Sequence, residues 1–190
     1  MRTLCGLAAT SAVPGHEAAA FARHGRIEPP EPVPEVSMRL DDGRLVSLPA
    51  LLRGRTTALH FMFTGCASTC PIQAATFARV QQALASRPSP RAQLLSVSVD
   101  ALGDDPASLA RWRRRLDAGP AWRAAVPVAS DASALLRWAG GDRPWSGDTH
   151  ATEVLLLDDR ARLAFRTTDL PDAAELAALL AGLDRRATGR

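Results

Sequence analysis

Tyrosine is absent from this sequence, cysteine occurs three times, and no long apolar run interrupts its 190 residues. Each scarcity excludes something. Three cysteines are too few for a disulfide framework, so two that lie close together point to redox chemistry or metal binding. A membrane-spanning helix needs roughly 18 or more consecutive apolar residues, and the sequence as written has no such run. Aromatic residues make up only 5% of the chain and are not interleaved with a dense basic stripe, so nucleic acid is not expected as a partner. The missing tyrosine, with basic charge carried by arginine, reads as the composition bias of a GC-rich genome and not as a functional signal.

What is present is ordinary for a globular protein: 46% hydrophobic residues and a net charge of +3, from 23 basic and 20 acidic side chains. The length suits one domain of roughly 100–200 residues plus a tail. Such a chain buries a core without disulfide staples. The slight positive excess is compatible with an acidic partner or with membrane proximity, and its simplest reading is a solvated surface of mixed sign. A monomer is expected.

Residues 1–27 carry no clean hydrophobic period and read as a tail or weak signal-like segment: Arg2, a short and weakly apolar stretch, then small residues up to Ala20. Cys5 comes too early to be a lipid-modified cysteine behind an apolar region. Residues 28–35 hold four prolines, which forbid a helix and favour an extended linker. The domain is expected over 36–184, with a short tail at 185–190.

Within it, residues 36–40 and 44–48 alternate about the turn Asp41, Asp42, Gly43 and predict a β-hairpin. Residues 56–63 form a nearly continuous apolar run, suited to a strand buried on both faces. A helix is predicted over 71–84, a strand over 93–99, and a helix over 106–116 with Asp105 as N-cap and Pro106 in its first position. A shorter helix over 132–139, strands over 153–157 and 162–167, and a last helix over 173–183 complete the order β-β-β-α-β-α-α-β-β-α. That order predicts an α/β protein with a thioredoxin-like fold: a central mixed sheet flanked by helices, plus the N-terminal β-hairpin.

Cys66 and Cys70 stand at the C-terminal end of the buried strand, separated by Ala67, Ser68 and Thr69. If a helix begins near Cys66, positions i and i+4 share one face and both thiols point the same way. A helix N-terminus favours the thiolate, which is both metal ligand and nucleophile. The familiar thioredoxin redox motif has two intervening residues; three do not forbid a disulfide but leave room for two sulfurs to hold one ion. Two thiolates under-coordinate most metals, so a third ligand is wanted. His150 is the candidate, following a Gly- and Pro-rich loop and preceding the strand over 153–157, although on spacing alone it also reads as a surface loop histidine. Two soft sulfurs and one imidazole suit Cu(I), and allow Cu(II) with a further ligand.

Other residues carry weaker signals. His60, inside the buried strand, reads as a hydrogen-bonded core histidine. His16 and His24 lie in the tail. Arg111–Arg115 reads as a solvated helix face with Trp112 turned inward. Asp100, at a strand end near the cysteines, either supports their site or merely leads into the next helix. The Pro-Thr-x-x-Cys environment of peroxide-handling thioredoxin relatives is not seen.

Over about residues 34–183 the chain resembles the Sco/SenC family, copper-binding thioredoxin-like factors of cytochrome oxidase assembly. The resemblance rests on the apolar strand, Phe63-Thr64 and Cys66-x-x-x-Cys70-Pro71; on the strand ending at Asp100 with Asp105-Pro106 after it; and on His150 leading into Glu153–Leu157. It departs from the family at Thr149, where Asp usually precedes the histidine, at Ala67, and at Ala101-Leu102-Gly103. The resemblance implies copper bound by Cys66, Cys70 and His150, and delivery to an oxidase copper centre. It implies a copper donor and a copper-accepting oxidase subunit as partners, and a periplasmic or membrane-associated location facing the periplasm. The alternative is a thiol–disulfide oxidoreductase that uses Cys66 and Cys70 to reduce the acceptor's cysteines.

Overall fold

The computed structural model describes residues 24–86, 91–140 and 152–189. The proline-rich stretch is extended, as its composition requires, but it is not a free linker. Gly25–Pro32 (β1) pairs antiparallel at the margin of the sheet, with a register shift between Arg26 and Glu31. Prolines are tolerated there because an edge strand needs only one side's amides. The expected hairpin follows as Ser37–Leu40 (β2) and Leu45–Ser47 (β3). Ser47 then caps a one-turn helix, Leu48–Leu52 (α1), accepting a hydrogen bond from the Ala50 amide at 3.3 Å.

Thr56–Met62 (β4) is buried at every position, as its apolar run predicts. Cys70–Ser86 (α2) follows it, then Ala92–Ser98 (β5) and Pro106–Arg115 (α3). At the start of α3, Asp105 accepts from the Ser108 amide at 2.7 Å while Ser108 Oγ accepts from the Asp105 amide at 2.9 Å, a reciprocal cap. Trp122–Pro127 (β6) has no counterpart in the expected order. Its centre is alanine, which is depleted in strands, and it earns its place by pairing with β5. Ala129–Gly140 (α4), Leu155–Leu157 (β7), Arg162–Arg166 (β8) and Ala173–Thr188 (α5) complete the fold, with α5 running past the expected end at Leu183.

The strands lie in the order β1-β8-β7-β4-β5-β6-β2-β3. The central three, β4, β5 and β6, are parallel, and the flanking strands are antiparallel. This is the mixed sheet of a thioredoxin-like α/β fold. Because strand side chains alternate, β4 feeds two cores. Leu59 and Phe61 pack with α1 and α4; Ala58 and Met62 pack with α2, α3 and α5. The thiols therefore emerge where a central parallel strand ends and the helix covering one face begins.

Candidate metal centre

The chain leaves β4 through a tight turn, in which the Cys66 amide donates to the Phe63 carbonyl at 3.1 Å. Helix α2 starts at Cys70, with the Thr69 carbonyl accepting from the amides of Ile72 and Gln73. The pair therefore does not meet across one helical face, as the i and i+4 spacing suggests. Cys70 is the first residue of the helix, and Cys66 reaches it from the turn in front. Pro71 is compatible with this start, because a first-turn amide has no partner in the helix to lose.

Both thiols are free, Cys70 buried and Cys66 half-buried. Their surroundings split them. Burial raises the Cys66 thiol's pKa, but hydrogen bonds from Cys70 and from Ser68 outweigh it and bring it down to about 7. Ser68 Oγ lies 3.6 Å from Cys66 Sγ. Burial pushes Cys70 up to about 12, and hydrogen bonding to the Cys66 sulfur adds to the rise. At neutral pH about half of the molecules carry a thiolate on the pair, at the accessible sulfur. That is a soft, anionic donor set, and also an attacking thiolate with a second sulfur behind it.

Among the described residues no group of three His, Cys, Asp or Glu side chains converges, so the two sulfurs need a ligand from elsewhere to complete a metal site. His150 lies outside the described residues, as do Asp148 and Thr149. His60 is not available: it is fully buried, with Nε2 2.6 Å from Ser96 Oγ, Nδ1 3.4 Å from Gln73 Oε1, and its ring 4.2 Å from that of Phe77. It is a core histidine, as its strand position suggests.

Asp100 is committed to its own turn. Its Oδ1 accepts from the Gly103 amide at 2.7 Å, and a Cβ at Gly103 would meet Asp100 Oδ2 at 2.1 Å. The acid that reaches the cysteine turn is Asp104, which accepts from the amide and hydroxyl of Thr64. Reasoning from sequence passed over it. A four-residue offset from the strand end gives no sign that the chain folds back at 100–103.

Residues 38–119 match the SCO1/SenC family model, a span that includes both cysteines and Asp104. The chain resembles Sco/SenC proteins in sequence and in fold. A SCO1/SenC lipoprotein from Bacillus anthracis str. Ames superposes with a TM-score of 0.70 at 19% identity, covering 85% of this chain and 98% of its own. ScoI from Bradyrhizobium japonicum, solved with copper bound, gives 0.65 at 20% identity, covering 80% and 99%. BsSco, a member of the Sco family of cytochrome c oxidase assembly proteins in which a disulfide switch was identified, gives 0.67 at 17% identity, covering 84% and 97%. No curated protein matches the sequence. The likeness to these structures is one of fold, and the family match includes this chain's two cysteines. No helix among the described residues is long and apolar enough to cross a membrane.

Proposed function

We propose that this protein is a copper-binding metallochaperone that works facing the periplasm and hands copper to the copper centre of a cytochrome c oxidase subunit. The observation that carries the reading is the thiol pair itself: an accessible low-pKa sulfur in contact with a buried one at a helix start, with three residues between them. Copper-bound ScoI of the same fold supports copper as the cargo. Cys66 and Cys70 supply two soft ligands, and His150 is proposed as the third. Copper would leave by ligand exchange, with the acceptor's thiolates replacing these ligands one at a time.

Purified protein is expected to take up about one copper ion per chain through these three soft and borderline ligands. Loss of even an outer partner of a ligand costs about 10–100-fold in metal affinity, so His150→Ala is expected to weaken copper by at least about 100-fold. Competition with a Cu(I) chelator measures this, and unchanged affinity would overturn the three-ligand model. A charge-transfer band from thiolate to Cu(II), lost in the same variant, is the spectroscopic form of the same test.

The split between the thiols favours a second reading, a thiol–disulfide oxidoreductase. The Cys66 thiolate would attack a partner disulfide, forming a mixed disulfide and releasing one partner thiolate. Cys70, giving its proton to the released partner thiolate, would then displace the second partner thiolate and close the Cys66–Cys70 disulfide, so that two electrons pass to the partner. This activity tolerates His150→Ala and needs both cysteines. Accumulation of a mixed disulfide with Cys70→Ser supports it; no such adduct with an oxidised acceptor peptide counts against it.

A further inference from the structure

Thr64 lies two residues before Cys66, and both of its polar hydrogens go to a single carboxylate. Its amide donates to Asp104 Oδ2 at 3.0 Å and its hydroxyl to Oδ1 at 2.5 Å. The same carboxylate accepts from Ser98 Oγ, at the end of β5, at 2.6 Å, and from Ser108 Oγ, in the first turn of α3, at 3.4 Å. Asp104 is only 9% exposed. Among the described residues every donor to it is neutral.

We infer that Asp104 is the positioning residue for Cys66. The turn at 63–69 has two anchors. At its far end the Thr69 carbonyl is tied into the first turn of α2; at its near end Thr64 is tied to Asp104. Cys66 hangs between them, so the two anchors set how its sulfur meets that of Cys70. The inference rests on the thiol pair being the functional site, but not on what the pair binds. A carboxylate suits the task because both of its oxygens accept, with about four lone-pair positions between them. Asparagine keeps the shape but offers one acceptor oxygen and turns an NH2 group toward donors. Leucine offers nothing.

The test uses the full chain equilibrated with glutathione, in which the two thiols and one oxidised glutathione yield the Cys66–Cys70 disulfide and two reduced glutathiones. The clamped turn described here belongs to the dithiol form, so releasing it moves the equilibrium toward the disulfide. We expect a shift of about tenfold for Asp104→Leu, which corresponds to about 30 mV for this two-electron couple, and a smaller one for Asp104→Asn. Thr64→Val keeps the amide contact and is expected to shift the equilibrium in the same direction by less. It should add nothing in the Asp104→Leu background, because both changes remove one interaction. An unchanged equilibrium alongside a lowered melting temperature would overturn the inference, since Asp104 would then serve only the fold. Fully additive shifts would overturn it too. Thr64→Val decides alone if Asp104→Leu does not fold, an unchanged equilibrium again counting against the clamp. Failure of the wild-type protein to bind copper defeats the metallochaperone reading and leaves this thiol equilibrium untouched.

Discussion

Beside the start of β6, two aspartates are held by arginines; beyond the end of β5, one aspartate is held by hydroxyls and an amide. At the first corner Asp41 accepts from Arg113, from Arg123 Nε at 3.0 Å and from the Ala124 amide at 3.3 Å. Asp42 accepts from Arg123 at 2.8 Å and from Arg44 at 2.9 Å. At the second corner, among the described residues, Asp104 accepts from Thr64, Ser98 and Ser108. Helix α3 joins the two, with Ser108 in its first turn and Arg113 in its last. The contrast separates fastening from positioning. Charge cancellation around the buried Asp41 pins the β2–β3 hairpin to β6 and α3, where no reactive group lies among the described residues. Neutral hydrogen bonds to an acid hold a turn in register without burying it, and that turn carries Cys66.

The sharpest way to test the reactive end is to alkylate it. Cys66, with its pKa brought down to about 7, is about half thiolate at neutral pH, whereas Cys70, pushed up to about 12, is thiolate only to about one part in 10⁵. The greater intrinsic nucleophilicity of a high-pKa thiolate recovers part of that gap. Iodoacetamide at pH 7 is therefore expected to modify Cys66 at least about a hundredfold faster than Cys70, read by peptide mass spectrometry. The Cys66 rate should climb through pH 7 and level off above it. Equal rates would mean that the two sulfurs are not split, and would remove the basis for assigning an attacking and a resolving thiol.

The fastening end is expected to behave in the opposite way. Asp41→Ala removes the carboxylate that Arg113 and Arg123 share, leaving Arg123 with Asp42 and Arg113 with the carbonyls of Ala118 and Gly119. The Asp41 side chain is 6% exposed and the arginines 17% and 19%. Removing one partner of a buried ion pair costs about 3–5 kcal/mol, so a loss near the lower figure is expected in urea unfolding for this partly solvated network. The rate of Cys66 alkylation should not change. A change in that rate would show that the hairpin corner reaches the thiols through α3, and the division between the two corners would fail.

The sequence disclosed these corners unequally. The turn at Asp41, Asp42 and Gly43 is legible because alternating strands meet there, and the structure keeps it. Its arginine partners are not legible, since Arg113 and Arg123 stand 72 and 82 residues away from Asp41. The cysteine pair is legible from its place after a buried strand, but the helix start lies at Cys70, because the Thr69 carbonyl and not the Cys66 turn opens the helical bonds. Asp100 drew notice as the first acid after β5; Asp104, 40 residues from Thr64, became visible only once the turn at 100–103 had brought it back. Strand β6 was hidden by its alanines, and β1 by its prolines, since each owes its state to a neighbour and not to its own propensity.

A smaller effect concerns the core beneath the thiol-bearing helix. Ser96 Oγ accepts from Trp122 Nε1 at 2.9 Å and lies 2.6 Å from His60 Nε2, while Gln73 Oε1, opposite Nδ1, can only accept. The neutral His60 then carries its proton on Nδ1, facing Gln73 Oε1 on α2, one turn beyond Cys70. Burial depresses the His60 pKa from 6.5 to about 4, partly offset by the Gln73 contact. The folded protein therefore binds fewer protons here than the unfolded chain. This contribution is fully present above about pH 6.5 and is lost as pH falls from there toward 4. A shift of this size corresponds to about 3 kcal/mol across that window. His60→Gln, which cannot take up a proton, is expected to lower stability at pH 7.5 and to flatten its fall between pH 6.5 and 4 in urea titrations. An equally steep fall in the variant would place the acid-sensitive group elsewhere.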